Sequence, residues 1–352
     1  MSPPANASDS LFGDDDPVPG TPPPSQAGVV APAWLDESLF KLGRQLPASV
    51  HLGTSSWSFP GWQDIVYSRQ YTESQLARHG LQAYAQHPVL RTVGIDRSFY
   101  QPLTAADYTR YAIQVPEDFR FLVKAPSLVS DAVFRRERGA PAEDNPNFLD
   151  AAAAIDHFVG PALEGLGTRA GPLVFQLPPL PREWTQGDAG AATIERIGAM
   201  LAGLPREVNG LAPIYAVELR NPELLTPRCV RMLRDHGARL CVAIHARMPP
   251  AARQSIALRA MDATEDEGDD WRLKGPLVVR WSLASGFRYE DAKNRYAPFD
   301  RLIDPDIPTR GTLVHLIHVA LKSGQPSFVI VNNKAEGCAP LSAIELARAV
   351  VG

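Results

Sequence analysis

The sequence predicts an α/β protein of the parallel-barrel class, in which eight strand–helix units follow a disordered N-terminal tail. The main observation is that eight short apolar runs alternate with segments of helical periodicity, which is the layout of a TIM-type (β/α)8 barrel. A second observation disfavours the competing doubly wound open sheet. Neither G-x-G-x-x-G nor G-x-x-x-x-G-K-[ST] follows the first predicted strand.

The predicted tail covers residues 1–33, which are rich in Pro, Ser, Gly and Asp and include the runs Asp14–Asp16 and Pro22–Pro24. Such a segment cannot bury enough apolar surface to offset the entropy lost on ordering. A short helix is predicted near Trp34–Leu46. We therefore expect one barrel domain over residues 34–352.

The eight predicted strands are short runs with β-branched or aromatic content, each bounded by turn or polar residues. They span residues 51–57, 92–100, 119–125, 172–177, 214–220, 239–245, 276–283 and 327–333. Three segments between predicted elements are long enough to be read as extended loops, namely Ser127–Asn147, Asp262–Gly275 and Ala284–Arg310.

Helices are predicted where apolar residues recur at positions i, i+3, i+4 and i+7. The clearest stripes lie within residues 77–85, 148–166, 194–204 and 313–321. Gly167 and Gly324 close two of them, as expected of helix C-termini. Weaker patterns lie within residues 105–114, 226–237, 251–261 and 341–351.

Composition excludes several classes of protein. A net charge of −4 gives no basic field for nucleic acid over the whole surface, although a local basic pocket remains allowed. The sequence contains no run of 18 apolar residues, so we expect no membrane span. Its first residues, MSPPANASDS, lack the basic and apolar regions of a secretory signal. The widely spaced Cys229, Cys241 and Cys338 suit reduced thiols, so we expect a cytoplasmic protein.

Strand parity predicts where the polar residues lie. Side chains alternate between two faces, so Ala216, Glu218 and Arg220 share one face and Tyr215 and Val217 the other. On most strands one face is apolar, whereas the other becomes polar only near its C-terminal end. Barrel enzymes carry their chemistry at this end. We expect these side chains to converge on one mouth: Asp96, Lys124, Gln176, Glu218, Arg220, His245, Arg280 and Asn332.

These residues suggest roles in acid–base chemistry. The candidate catalytic residues are Asp96, Glu218 and Lys124, because carboxylates serve as bases and cations stabilise developing negative charge. The candidate substrate-binding residues are Arg220, Arg280, Gln176, Asn332, Trp57, Tyr100 and His245. No HExxH or CxxC pair is present, so no metal site is predicted and the cofactor is left unassigned.

Each role has a structural alternative. Glu218 can form an ion pair with Arg220 or Arg280, Lys124 can be a solvent-exposed lysine, and His245 can be a hydrogen-bonded structural histidine. Asn332 or Asn333 can cap the last strand, the aromatic residues can serve packing alone, and the Arg135–Arg138 run can be a solvated loop face. We predict that Glu218→Gln loses activity with little change, or even a gain, in melting temperature; a structural ion pair would instead lose stability, by about 3–5 kcal/mol if buried.

Several separate motifs occur together in this chain: GTSSWSFPGW (Gly53–Trp62), SFYQP (Ser98–Pro102), PEDFRFLVKAP (Pro116–Pro126), GPLVFQLPP (Gly171–Pro179), AVELRNP (Ala216–Pro222) and VNN (Val331–Asn333). With these motifs the chain resembles domain-of-unknown-function family 72, also called YecE-like, over about residues 50–352. The resemblance implies a TIM-type barrel and supplies no activity.

The chain departs from the pattern of that family at two strands. Where the family usually shows V-E-I-N, this chain has Val93–Asp96, so a carboxylate is lost at Gly94 and one is gained at Asp96. The family's R-x-H-G appears as Arg280–Leu283, which keeps the arginine and replaces the histidine by Ser282. A family role for either lost side chain therefore does not carry over.

Three functions fit the sequence. The first is an enzyme that acts on a small phosphate- or carboxylate-bearing molecule by hydrolysis, isomerisation or lyase chemistry, since barrels often hold phosphate near strands seven and eight. The second is nucleic-acid binding or processing by the same cationic mouth. It is less favoured, because only His245 is placed to serve as a metal ligand of a nuclease. The third is a non-catalytic scaffold.

Overall fold

Eight parallel strands close into a barrel in the computed structural model, which describes residues 29–134, 143–264, 270–283, 287 and 289–352. In chain order the strands are β1 (Val50–Thr54), β2 (Leu90–Ile95), β3 (Arg120–Lys124), β4 (Val133–Phe134), β5 (Glu143–Asp144), β6 (Ala170–Gln176), β7 (Ile214–Glu218), β8 (Arg239–Ile244), β9 (Leu277–Trp281) and β10 (Ser327–Val331). The barrel order is β1-β2-β3-β6-β7-β8-β9-β10, and β10 pairs with β1 to close it. The predicted TIM-type fold and its eight strands are confirmed.

Helices connect the successive barrel strands. They are α1 (Glu37–Gln45), α2 (Glu73–His79), α3 (Leu81–Tyr84), α4 (Ala105–Ala112), α5 (Ser127–Ser130), α6 (Ala151–Ala154), α7 (Gly160–Leu166), α8 (Gly187–Gly203), α9 (Pro227–Asp235), α10 (Ala251–Asp262), α11 (Tyr289–Tyr296), α12 (Ile307–Lys322) and α13 (Ala339–Val351). A π-helical turn, Ile155–Val159, joins α6 to α7. Gly167 and Gly324 have φ angles of 56° and 67°, which confirms the predicted glycine ends.

The predicted tail extends too far along the chain. Its residues 1–28 lie outside the described residues, but residues 29–33 pack on the barrel domain. The Ala31 N–H donates to the Tyr71 hydroxyl at 3.0 Å, the Ala33 N–H donates to the Val66 carbonyl at 2.9 Å, and Val30 is buried. Burial of the Val30 side chain removes apolar surface from water, which favours ordering of this segment. The polar composition of residues 1–28 offers little such surface.

Two of the predicted loops contain regular structure, and Ala284–Arg310 includes α11 and the start of α12. Within Ser127–Asn147, the short helix α5 is followed by the antiparallel strands β4 and β5, whose paired residues are Val133 with Asp144 and Phe134 with Glu143. The Asn145 side chain holds this segment by donating to the carbonyl oxygens of Leu128 and Asp131, both at 2.7 Å. The predicted run Arg135–Arg138 lies outside the described residues.

The barrel interior is filled in layers. A small apolar cluster, separate from the outer core, contains Leu122, Val174, Ala216, Cys241, Val278 and Ile330. Nearer the N-terminal ends of the strands, the rings of His51 and Phe328 stack with centroids 4.8 Å apart. The alternate residues Tyr215, Val217 and Val279 belong to the outer core, against the helices. The strand parity read from the sequence is therefore correct, and the next inward layer toward the C-terminal ends is polar.

No helix among the described residues is both long enough and apolar enough to cross a membrane.

Candidate functional site

A cavity of about 760 Å³ opens at the C-terminal ends of the barrel strands. Its polar lining includes the residues Asp96, Lys124, Gln176, Arg220, His245, Arg280 and Asn332. Lys124, Gln176 and Glu218 are the last residues of their strands, whereas Asp96, His245 and Asn332 directly follow theirs. Parallel strands that end together at one rim bring these distant positions to a single site.

Above the apolar cluster lies a polar layer, formed by Asp96, Lys124, Gln176, Glu218, Arg220 and Arg280. Arg280 is at its centre. Its Nη1 donates to Glu218 Oε2 at 2.7 Å and to Gln176 Oε1 at 2.8 Å. Its Nη2 donates to both carboxylate oxygens of Asp96, at 2.8 and 2.9 Å. The two carboxylate charges outweigh burial and raise the pKa of Arg280, so the guanidinium stays charged. Both terminal nitrogens are thus engaged within the protein, which leaves Arg280 little capacity to bind a substrate.

Glu218 lies between two arginines. Its Oε1 forms an ion pair with Arg220 Nη2, its Oε2 accepts from Arg280, and its side chain is fully buried. Burial alone would raise the pKa of this carboxyl group, but the charges of Arg220 and Arg280 outweigh burial and lower the pKa to about 2. So weak a base is poorly suited to accept a proton near neutral pH. Glu218 thus contacts two guanidinium groups and holds them in the same buried layer.

Arg220 is only partly satisfied by these contacts. Its Nη2 also donates to Gln176 Oε1 at 3.3 Å. Its Nε is buried and has no hydrogen-bond partner among the described residues. A buried donor without an acceptor is costly unless a ligand or water completes it. Arg280 Nε is likewise buried and without a hydrogen-bond partner among the described residues, so each arginine of the polar layer keeps one unsatisfied donor beneath the cavity surface.

Lys124 differs from every other charged residue of the polar layer because it contacts no carboxylate. Its side chain is 9% exposed, and its Nζ lies 3.4 Å from the centroid of the Phe99 ring, in a cation–π contact. No hydrogen bond or ion pair involves this amine in the described part of the chain. Burial lowers the pKa of Lys124 to about 8, partly offset by the charge of Asp96. The predicted alternative of a solvent-exposed lysine is wrong.

His245 presents a neutral ring to the cavity. Its Nδ1 accepts a hydrogen bond from the Arg247 N–H at 3.2 Å, and burial followed by the charge of Arg220 lowers the pKa of His245 to about 4. The ring is therefore uncharged near neutral pH, with its proton on Nε2. It can donate to a ligand but holds no proton to give up as a cation.

The two asparagines after β10 have separate surroundings. Asn332 lines the cavity, and its Nδ2 donates to Ser55 Oγ at 2.8 Å across the seam between β10 and β1. Asn333 is buried, and its Oδ1 accepts from Trp62 Nε1 at 3.2 Å and from the Ala339 N–H at 2.8 Å. Asn333 therefore has the capping role, and Asn332 remains the candidate for ligand contact.

Of the two candidate aromatic residues, only Tyr100 lines the cavity. Tyr100 lines the cavity and is 80% exposed. Trp57 does not line the cavity: its Nε1 donates to the Leu76 carbonyl at 3.1 Å and its ring packs on the edge of Tyr111. The proposed substrate contact of Trp57 is therefore wrong, and its packing alternative holds. A residue just beyond a strand end can turn outward, and strand parity does not detect this.

Sequence reasoning missed several residues of the site. They include Phe99, whose ring lies against Lys124, Ser55, which is bonded to Asn332, and Asp131, Arg247 and Ser282, which line the cavity. Ser98 and Phe99 lie in a 3₁₀ turn after β2 and not in the predicted strand 92–100. The SFY motif was a signal for Ser98 and Phe99, whereas nothing local identified Arg247.

The backbone explains part of the departure from the family pattern at β2. A Cβ atom on Gly94 would lie 3.2 Å from the Ser55 carbonyl oxygen, so a larger residue there requires a small shift of the neighbouring chain. Asp96, two residues later, is the β2 carboxylate that reaches Arg280 in this chain.

The described residues contain no group of three or more His, Cys, Asp or Glu side chains arranged to hold a metal ion.

Comparison with known proteins identifies relatives of the fold. A family model, described as a protein of unknown function, DUF72, matches residues 51–352. The chain is similar to a DUF72 family protein from Enterococcus faecalis, with a TM-score of 0.55, 17% identity and coverage of 86% of this chain and 95% of that one. It is also similar to a DUF72 family protein from Thermotoga maritima, with a TM-score of 0.53, 17% identity and coverage of 85% of this chain and 98% of that one. No curated protein matches significantly.

Proposed function

The chain belongs to the DUF72 family, whose description states no function, and we propose that this member is an enzyme acting by acid–base chemistry on a small anionic molecule at the barrel mouth. The observation that carries the proposal is the buried amine of Lys124, which forms no ion pair with any residue that the structure describes and belongs to a residue lining a cavity of about 760 Å³. Burying a charged group without a partner is costly, and such a cost is usually retained where the group has a function.

The amine is suited to proton transfer. A pKa of about 8 leaves both protonation states of Lys124 populated near neutral pH, which general acid–base catalysis requires. Because Lys124 is the last residue of β3, its backbone is held in the barrel sheet and not in a loop. A purely structural scaffold gives no reason for this residue, since within the described ranges it joins no ion pair.

The charge of the polar layer favours an anionic ligand. Around the cavity, three carboxylates (Asp96, Asp131 and Glu218) face four cations (Lys124, Arg220, Arg247 and Arg280) when the lysine is protonated, so the sum is +1. The donors that line the cavity and remain for a ligand are the Nε2 of His245 and the exposed Arg247. A phosphate or carboxylate group would satisfy these donors, because charge-assisted bonds to anions are strong.

Nucleic-acid binding is the less supported alternative. Most donors of Arg280 are engaged with Asp96, Glu218 and Gln176, so they do not offer a row of phosphate contacts. The Arg135–Arg138 run, which would add such contacts, lies outside the described residues.

A cytoplasmic location is part of the proposal. Cys229, Cys241 and Cys338 are buried free thiols, and their state suits a reducing compartment.

Anion binding tests the first half of the proposal. Inorganic phosphate is titrated calorimetrically into the wild type, Arg247→Ala and the control Arg253→Ala, whose arginine is exposed on α10 and does not line the cavity. We expect phosphate to bind the wild type and Arg253→Ala equally. Arg247→Ala should weaken binding about threefold to tenfold, the loss of one exposed charge-assisted contact. Equal binding by all three proteins, or no binding, would contradict the site.

Turnover tests the second half. The wild type and Lys124→Met are incubated with a panel of phosphorylated and carboxylated metabolites, and products are followed by proton NMR. We expect one compound to be converted by the wild type and not by Lys124→Met. If phosphate binds but no compound is converted, the protein is an anion-binding protein and the enzymatic proposal fails.

A further inference from the structure

We propose that Lys124 is a nucleophile that forms an imine, and that the substrate carries a carbonyl carbon beside its anionic group. This inference rests on the proposed function and names its substrate class. An amine that forms an imine must be neutral, must reach the ligand and must be kept from forming an ion pair. The surroundings of Lys124 meet each of these conditions.

The two nearby carboxylates are already engaged elsewhere. Both oxygens of Asp96 accept from Arg280, and both oxygens of Glu218 contact arginines. Neither carboxylate is within ion-pair distance of Lys124 Nζ. The arginines thus hold the acidic groups away from the amine, which is the arrangement expected if the amine itself is to react.

The contact with Phe99 keeps the amine in a weakly solvated position. Its Nζ is 3.4 Å from the ring centroid, and the side chain is 9% exposed. With a pKa of about 8, about one tenth of the amine is neutral at pH 7, against about one in 3,000 for an ordinary lysine. This raises the concentration of the nucleophilic form by more than two orders of magnitude.

The donors around the cavity place the anionic group of the substrate. The Arg247 side chain and the neutral ring of His245 line the same cavity as Lys124. A molecule with both a carbonyl and a phosphate or carboxylate therefore meets a nucleophile and an anion site together. An uncharged carbonyl compound has only the first of these contacts.

The proposed step is balanced without a cofactor. The nitrogen lone pair of Lys124 attacks the carbonyl carbon to form a C–N bond, and an amine proton moves to the oxygen to give a carbinolamine. The C–O bond then breaks, the second amine proton leaves with the oxygen as water, and an imine remains. Once protonated by solvent, the imine withdraws electrons from the adjacent carbon. Of the three predicted reaction classes, lyase and isomerase chemistry use such electron withdrawal, whereas hydrolysis does not require it.

Borohydride trapping tests the inference, because reduction converts an imine into a stable secondary amine. The wild type is treated with sodium borohydride in the presence of pyruvate, glyceraldehyde 3-phosphate or the uncharged propanal, and the modified lysine is located by peptide mass spectrometry. The chain has only six lysines, so each can be followed: Lys41, Lys124, Lys274, Lys293, Lys322 and Lys334.

Lys334 serves as the internal control. It is also buried, at 5% exposed, and burial lowers its pKa to about 8, but it does not line the cavity. We expect Lys124 to be modified at least tenfold more than Lys334 by at least one of the two anionic carbonyl compounds, and at most weakly by propanal. Excess inorganic phosphate should protect Lys124. Modification spread over several lysines, or no adduct at Lys124, would overturn the inference.

Two further measurements separate the possible failures. If phosphate binds in the calorimetric titration but no adduct forms on Lys124, the imine inference is wrong and the proposed anion site stands. If phosphate fails to bind as well, both are wrong. In the Lys124→Arg variant, the total adduct should not exceed the amount that the other five lysines form in the wild type. The mapping on the wild type decides the matter even if that variant does not fold.

Discussion

Lys124 Nζ lies 3.4 Å from the centroid of the Phe99 ring, although two carboxylates belong to the same polar layer. The carboxylates bind arginines instead, and the lysine faces an aromatic ring. A cation–π contact returns only about 0.5–2 kcal/mol, less than a buried ammonium group loses on leaving water. The lysine is therefore held where its charged form is disfavoured.

Replacing Lys124 should change how stability depends on pH. Because the pKa of Lys124 falls from 10.5 to about 8 on folding, the unfolded chain binds more protons between these values, and the free energy of unfolding rises with pH there. Lys124→Met removes this dependence. We expect the variant to be more stable than the wild type at pH 7, by up to about 3 kcal/mol, and this difference to shrink toward pH 10.5.

Urea unfolding at a series of pH values measures this difference, with Lys41→Met as the control because Lys41 is exposed on α1. A variant less stable than the wild type at pH 7 would show that the amine forms a stabilising contact.

Glu218→Gln should destabilise the protein. Its carboxylate contacts Arg220 and Arg280 in a buried position, so neutralising it leaves two guanidinium groups undercompensated. Removing one partner of a buried pair costs about 3–5 kcal/mol. This replaces the expectation that the variant would lose activity at little cost in stability. The surface pair gives a matched control, because Glu195→Gln breaks an exposed contact with Arg228 worth at most about 1 kcal/mol.

The free energy of unfolding at acidic pH provides a second test of the Glu218 ion pairs. Its folded pKa of about 2 lies below the usual 4.5, so its contribution to stability is complete above pH 4.5 and is lost as the pH falls toward 2. The difference in the free energy of unfolding between wild type and Glu218→Gln should therefore narrow below pH 4.5. A constant difference from pH 7 to pH 3 would contradict the ion-pair assignment.

Ser98→Ala should loosen the ends of two barrel strands. The Ser98 hydroxyl lies 2.6 Å from the Lys124 carbonyl oxygen and 2.8 Å from that of Ile95, and the residue is 1% exposed. Loss of this bond should cost about 1–2 kcal/mol. Thermal unfolding checks the value against Ser255→Ala, whose hydroxyl bonds within the exposed part of α10. Equal melting temperatures in the two variants would remove the proposed link.

Salt dependence separates a small ligand from nucleic acid. A small anion held by a few donors should lose little affinity between 50 and 200 mM salt, whereas a protein with 6–10 phosphate contacts loses about 10³–10⁵ in affinity. We expect inorganic phosphate to bind with a shallow salt slope, and a duplex oligonucleotide not to displace it. Displacement with a steep slope would favour the nucleic-acid alternative.

The inner faces of the barrel strands could be predicted from the sequence because alternation along a strand is local. Parity alone placed Gln176, Glu218 and Arg280 on the inward faces, and the barrel closure brings them into contact. Which carboxylate pairs with which cation could not be predicted. That choice depends on distances around the ring between residues as far apart as Asp96 and Arg280, and no local pattern encodes it.

Other errors have equally specific causes. Trp57 was misplaced because the chain leaves β1 at Thr54 and the alternation no longer applies beyond it. The β4–β5 pair was missed because each strand has two residues, too few for a periodic signal.

The most direct test of the central claim is the pKa of Lys124, measured by NMR. Lysine labelled with ¹³C at Cε is incorporated, and Lys124→Arg identifies the resonance of this residue among the six lysines. We expect this resonance to titrate near pH 8 and to shift when inorganic phosphate binds. A midpoint above pH 10 that phosphate leaves unchanged would show that Lys124 is an ordinary charged lysine without a role in anion binding.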